Sequence, residues 1–573
     1  MKAKTTKIIS IMLLSVLIIV TGCTKTTTPT TDVKTTDTSQ AESSAAATAQ
    51  AEDLSPMTLS IFSEDPSPNW NNMQDRVGKE ITAKTGITLK AEFAVGDPAQ
   101  KVALIAASGE YPDLISAKAD VAKMVDAGAM LDLTDLIEQY APNIKKLFKD
   151  YPKRLRNSLE DQAIYVIPSW GGVDNKYFTA GGGFEIQHAA VKEANFPKIR
   201  TLQDYENVIK AYKDKHPTVD GKPTIGISLN SDDWHMYISV TNPAFYATGG
   251  PDDGEYYIDP KTYDAIYHFR RPEEKEYFRW LNHINDIGLL DPESFVQKYD
   301  QYKAKVATGR VIGLIDQDWD YGDGEKALKT AGKFELGYGH YPVTLSEEYK
   351  DHSFQDTGFM GGWGIGITKS AKDPIRAIKF LDYLASEEAQ VLNNWGIKDT
   401  DYVIENGLRT IPKAVNDKKI NDATNFQKDS GIGLYTNIQG HYGDGVKDAT
   451  GSNYTTNFPE QIIAGYNDVE KEVLAKYNVK TWKDLFPNES EFPVKPWGAA
   501  WNITVPNESE VTVLANKMKD ITWKRIPEAI LAKPEKFDAL WDAYQAALIK
   551  ADVEKMEKGY SEMVKARVKL WNE

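Results

Sequence analysis

One cysteine, Cys23, occurs in 573 residues. The chain therefore holds no internal disulfide and no zinc site built from several thiolates. Long apolar runs are scarce too. Residues 8–20, broken only by Ser10 and Ser15, make a run of 13, short of the roughly 20 that a membrane-spanning helix needs. Basic residues are outnumbered: 67 Lys and Arg stand against 83 Asp and Glu, a net charge of −16, which argues against a surface that binds nucleic-acid phosphates. The eight histidines lack metal-ligand spacing. No His-Glu-x-x-His, Gly-x-Ser-x-Gly or phosphate-loop pattern occurs, and Gly181-Gly182-Gly183 lacks the spaced glycines of a dinucleotide site. So many acids guarantee chance carboxylate pairs, but no spacing singles out a glycosidase pair. Nothing positive points to catalysis or to a cofactor.

What is present begins with an address. Lys2, Lys4 and Lys7 precede the apolar run and small residues follow it, the pattern of a secretory signal over residues 1–22. Val20-Thr21-Gly22-Cys23 resembles a bacterial lipobox, which implies cleavage before Cys23 and acylation of that residue. Two or three acyl chains, at about 0.8 kcal/mol per buried methylene, would hold the protein on the outer face of the cell membrane. Losing three lysines takes the charge from −16 to −19, so the anchor and not the surface would do the holding. Residues 23–55 are almost all small and polar, with only Val33 and Leu54 as large apolar side chains, and read as a disordered tether.

From Met57 the composition changes. Met57, Leu59 and Ile61 alternate with Thr58 and Ser60, a strand pattern. Val77 and Ile81 follow on a helical period that stops at Gly86, and residues 87–93 alternate again, completing a β-α-β unit. The theme recurs. Helices are expected over 98–108, from Thr201, over 271–287 and over 297–308, with strands at 113–116, 225–229 and 311–315. Two tandem helices are expected over 373–394, and helix over 535–571. Such alternation predicts an α/β protein with parallel or mixed sheets covered by helices.

Three blocks carry a family resemblance. Residues 103–115, Ala-Leu-Ile-Ala-Ala-Ser-Gly-Glu-Tyr-Pro-Asp-Leu-Ile, form the first; Gly288-Leu289-Leu290-Asp291-Pro292-Glu293-Ser294-Phe295 with Gly309-Arg310-Val311-Ile312-Gly313 form the second. The third runs from Ile367-Thr368-Lys369-Ser370 through Ser386-Glu387-Glu388-Ala389-Gln390 to Trp395-Gly396-Ile397. Together they resemble family 1 extracellular solute-binding lipoproteins of bacterial ABC importers, nearest the long branch that takes up oligosaccharides in Gram-positive bacteria. The resemblance implies a type II, two-lobed periplasmic-binding-protein-like clamp, its interleaved lobes joined by a hinge. One lobe would comprise residues 56–167 and about 369–420, the other 168–368 and about 421–573, with crossings near Pro168, Thr368 and Asn421. It implies a catalytically inert monomer that passes an oligosaccharide to an ABC permease.

A sugar offers an apolar ring face and a rim of hydroxyls, so its site needs aromatic faces and polar side chains. Trp170, Trp319 and Trp363 are the first candidates for stacking, with Trp234 and Trp70 behind them, because each is flanked by polar residues or glycine. Asp318, Asp233, Lys118 and Glu64 are the candidate polar contacts. Trp280, Trp395, Trp523 and Trp541 lie on helical periods and are assigned to packing. Relatives usually carry an arginine where this chain reads Phe184-Glu185-Ile186-Gln187-His188, which leans towards neutral sugars; Lys118, Lys176 and Arg270 are the cations left to substitute. Calcium is not expected, since residues 217–222 offer only Asp220, and Asp316, Asp318 and Asp320 are followed by Tyr321 and Ala327 where an EF-hand needs glycine and glutamate. Alternatives are a peptide-binding or sensor lipoprotein and, less favoured, a lipid-anchored glycoside hydrolase.

Overall fold

Local rules set the first unit. Asp75 caps helix Arg76–Thr85 by accepting from Gly78 N at 2.6 Å, and Gly86 ends it in the left-handed region at φ 69°. Strand Met57–Ser63 then pairs in parallel with Ile87–Phe93 along its whole length. Helix Pro98–Ser108 is built the same way, with Asp97 as cap and Gly109 at φ 72°. The computed structural model describes residues 53–572. The expected signal peptide, Cys23 and the tether up to residue 52 lie outside the described residues.

Two sheets organise the chain. The first runs in the order Ile87–Phe93, Met57–Ser63, Leu114–Ser116, Gly364–Ile367, Ile167–Pro168. Its first three strands are parallel, and Gly364–Ile367 is antiparallel to both neighbours. The second runs Tyr338–Tyr341, Gly182–Gln187, Val311–Gln317, Ile225–Ser228. There Val311–Gln317 is parallel to Ile225–Ser228 and antiparallel to Gly182–Gln187. Each sheet has its own core. Leu59, Ile87, Leu114, Ile365 and Phe380 are buried in the first. Phe184, Ile227, Ile312 and the C-terminal helices, through Met518, Trp541 and Val564, fill the second.

The chain visits these cores in alternation, leaving the first sheet after Pro168 and returning at Gly364. Strand Gly364–Ile367, placed in the second lobe by the sequence reading, therefore belongs to the first sheet. Tyr435 and Ile438 also pack in the first core while Val473 lies in the second, so the last passage falls after Ile438 and not at Asn421. Interleaving of this kind makes the two-lobed clamp. The motif aspartates are pins within it. Asp113 accepts from Ser60 N (2.7 Å), Ser60 Oγ (2.6 Å) and Lys372 N (2.9 Å), and Asp291 accepts from Ser228 Oγ and Lys305 Nζ, both at 2.8 Å. Among the described residues, no helix is long and apolar enough to cross a membrane.

Candidate functional site

Parallel neighbours deliver their following residues to the same edge of a sheet, which is where open α/β sheets place ligands. Ser63 lies level with Ser116, so Glu64 and Asp65 emerge beside Lys118. Lys118 takes a left-handed backbone, φ 41°, pairs with Asp65 and sets its amine 4.4 Å from the centroid of Trp170. Trp170 meets Trp363 edge-on, 5.8 Å between centroids, and Trp363 meets Trp501 at 4.8 Å. Trp70 stands against Tyr435 (5.6 Å) and Phe93 (6.1 Å) and shares with Asp65 the lining of a cavity of about 220 Å³.

Several of the molecule's unpaired buried polar atoms lie here. The indole nitrogens of Trp70, Trp170 and Trp363, Glu64 Oε1, Asp65 Oδ2 and Ser116 Oγ are all buried with no hydrogen-bond partner among the described residues. Buried polar groups are normally paired, so this edge presents donors and acceptors available to a polar ligand. Glu64 is 8% exposed. Burial, and next the Asp120 carboxylate, push its carboxyl up to about 9, so at neutral pH Glu64 carries a proton and can donate.

A second group forms at the corresponding edge of the other sheet. Ile225–Ser228 and Val311–Gln317 are parallel and lead to Asp233-Trp234 and Asp318-Trp319. Trp234 and Trp319 stack at 5.9 Å and 20° and are 44% and 59% exposed, a bare aromatic platform. Beneath Trp234 lies His235, 3.9 Å between centroids, with its Nε2 3.3 Å from Asp320 Oδ1. Burial works to lower the His235 pKa, but the Asp320 carboxylate and the Asp232 carbonyl hold it above its ordinary value. Asp233 and Asp318 are both exposed. Trp319 lies in the first turn of helix Asp318–Thr330.

Trp170, Trp363, Lys118 and Glu64 thus gather at one sheet edge, with Trp70 alongside; Trp234, Trp319, Asp233 and Asp318 gather at the other. No hydrogen bond, ion pair or ring contact joins the two groups among the described residues. Trp280, Trp395 and Trp541 are buried and Trp523 packs against the second core, as expected. Sequence reasoning missed Trp501, Asp65, Asp120 and His235. Trp501 met the same criterion as the others, small and polar neighbours in Ala499-Ala500-Trp501-Asn502; Asp65 follows Glu64 on the same strand end.

The cation argument changes with the structure. Glu185, Ile186 and Gln187 are buried within the central strand of the second sheet, and Gln187 Nε2 donates to Gly309 O at 2.9 Å. That segment does not face a ligand, so its lack of arginine says nothing about ligand charge. Arg270 is spent on Glu554 and Glu557, whereas Lys118 lies at the edge of the first sheet beside Asp65 and Trp170. Asp220 pairs with Lys333 at 3.3 Å, Asp316 accepts from Tyr302 Oη at 2.6 Å, and no group of three His, Cys, Asp or Glu side chains among the described residues is arranged to hold a metal.

Comparison with known proteins follows the same lines. Residues 77–426 match the family described as bacterial extracellular solute-binding protein. Lipoprotein LipO of Bacillus subtilis is 24% identical over 371 residues, 62% of this chain and 68% of that one. The fructooligosaccharide ABC transporter substrate-binding protein FusA of Streptococcus pneumoniae is 23% identical over 60% of this chain and 63% of its own. Among solved structures, an EF-hand mutant of Streptococcus pneumoniae FusA in complex with fructo-nystose superposes with a TM-score of 0.62 at 17% identity, covering 89% of this chain and 99% of that one. An HMO-binding solute-binding protein of Bifidobacterium longum infantis gives 0.61 at 16% identity, covering 89% and 99%.

Proposed function

The chain belongs to the bacterial extracellular solute-binding protein family, and from that premise we propose that it captures an oligosaccharide between its lobes and delivers it to an ABC permease without turning it over. The observation that carries this is the meeting of aromatic rings with unpaired buried donors and acceptors at the edge of the first sheet. A sugar ring stacks on indole faces while its hydroxyls satisfy the indole N–H groups, Glu64 and Asp65. The platform of Trp234 and Trp319, with Asp233 and Asp318 at its rim, supplies the opposing jaw. Closure about the three crossings brings the jaws together, the hinge motion expected of solute-binding proteins. The oligosaccharide relatives FusA and the HMO-binding protein support this cargo over a peptide or another solute.

Export through residues 1–22 and acylation of Cys23 hold the monomeric protein on the outer face of the membrane. Cells lacking the protein are expected to lose uptake of the labelled cargo and to regain it with the wild-type chain. With Cys23→Ser they are expected to lose palmitate incorporation and to shed the protein from the membrane fraction. Retention of the variant on the membrane would contradict the anchor. Undiminished uptake in cells without the protein would contradict delivery.

A further inference from the structure

A second cavity, also of about 220 Å³, opens beside Trp363. One wall is the segment 154–160, whose Leu155 packs on the first core; the other is the C-terminal helix Val553–Asn572, whose Met556, Tyr560 and Val564 pack in the second. The cavity therefore lies between the two cores and shares Trp363 with the candidate sugar site.

Its polar lining is cationic. Arg154, Arg156 and Arg567 line it against one rim carboxylate, Glu160, which accepts from Ser158 Oγ at 3.2 Å. Among the described residues the three guanidiniums make no ion pair; they donate to neutral oxygens. Arg154 bonds to Phe359 O, Arg156 to Gln162 O (2.6 Å), and Arg567 to Ala499 O (3.1 Å) and Asn502 O (2.8 Å). Arg154 and Arg567 both lie against the ring of Trp571, 4.7 and 4.6 Å from its centroid. Burial, and Arg154 beside it, lower the Arg567 pKa to about 10; both groups stay charged at neutral pH. Neighbouring like charges taken partly out of water are costly unless an anion opposes them. In a chain whose net charge is −16, Glu160 sits at the rim, and Asp356 and Asp253 act on Arg154 and Arg567 without forming an ion pair with them.

The Trp571 seat is built into the backbone. Gly498 and Gly361 have φ of 72° and 62°, and a Cβ on either would come within 2.8 or 3.3 Å of the indole. A sugar ring against Trp363 and Trp571 would bring its substituent to a pair of guanidinium forks, whose geometry matches planar or tetrahedral oxyanions. We infer that this cavity receives an anionic sugar residue of the cargo, with Arg154 and Arg567 clamping its carboxylate or sulfate. This rests on the oligosaccharide reading above.

Titration calorimetry of the mature, detergent-solubilised protein tests it. The probes are pectin and alginate trimers, their carboxyl-reduced counterparts, a κ-carrageenan tetrasaccharide, maltotriose and kestose. At least one carboxylated or sulfated probe is expected to bind tenfold or more tighter than its neutral counterpart, with affinity falling as salt rises. Arg154→Gln and Arg567→Gln are each expected to abolish that preference, and Arg154→Lys to restore part of it. Arg154→Gln keeps the test open should Arg567→Gln fail to fold. A carboxylated or a sulfated winner names the anion. Neutral probes binding as tightly as acidic ones, or a preference that survives Arg154→Gln, would overturn the anionic pocket and leave the oligosaccharide reading standing. No binding of any saccharide would overturn both.

Discussion

Replacing Trp170 and Trp363 together with alanine is expected to weaken oligosaccharide binding about 1000-fold, since each aromatic anchor contributes on the order of 2 kcal/mol, about 4 for the pair, and tenfold is about 1.4. The two rings form one unit: Trp170 stands edge-on to Trp363 and carries Lys118 on its face. Losing both removes the stacking surface, two unpaired N–H donors and the seat of the Lys118 amine. Trp319→Ala should cost less, because that ring is 59% exposed and stacked only on Trp234. Calorimetry on the single and double variants measures both. Unchanged affinity in the double variant would show that the site lies elsewhere.

Glu64→Gln is expected to raise stability at pH 8 by on the order of 5 kcal/mol and to flatten the pH profile, as roughly 3.7 units separate the unfolded glutamate value from pH 8 and each corresponds to about 1.36 kcal/mol. The folded protein holds the Glu64 proton up to about pH 9, whereas the unfolded chain releases it above the ordinary glutamate value of about 4.3. Folding therefore takes up a proton throughout that window, and the wild type loses stability as pH rises through it. Glutamine keeps the shape and a donor without the charge. Urea unfolding of both proteins between pH 4.5 and 9 checks this. Parallel pH profiles would mean that Glu64 is ionised in the fold and that Lys118 compensates it.

The legible parts of this protein are those governed by neighbours in sequence. Asp75 and Asp97 cap helices that Gly86 and Gly109 end, and alternation over 57–63 and 87–93 marks strands that pair in full register. The return strand Gly364–Ile367 was not legible. Its four residues, Gly-Ile-Gly-Ile, alternate like any strand, but only antiparallel pairing with Leu114–Ser116 and Ile167–Pro168 assigns it to the first sheet. The last crossing was misplaced for a related reason: Tyr435 is fixed in the first core by its hydroxyl on Asp75 (3.0 Å), a contact 360 residues apart in sequence. Glu64 and Lys118 follow neighbouring parallel strands, the position for which the resembling fold singled them out as candidates. Flanking glycines and polar residues drew attention to Trp170, Trp319 and Trp363; Ala499-Ala500-Trp501-Asn502 carries the same signal, but only tertiary packing sets Trp501 against Trp363.

The most direct test of the central claim is a thermal-shift screen of the mature protein against neutral and acidic oligosaccharides, amino acids and peptides, with product analysis after prolonged incubation. A ligand at 100 times its dissociation constant adds about 2.7 kcal/mol of stability, enough to move the melting temperature visibly. The account predicts a rise with one class of oligosaccharide and recovery of that oligosaccharide intact. A rise with peptides alone, or cleavage of the bound sugar, would contradict it.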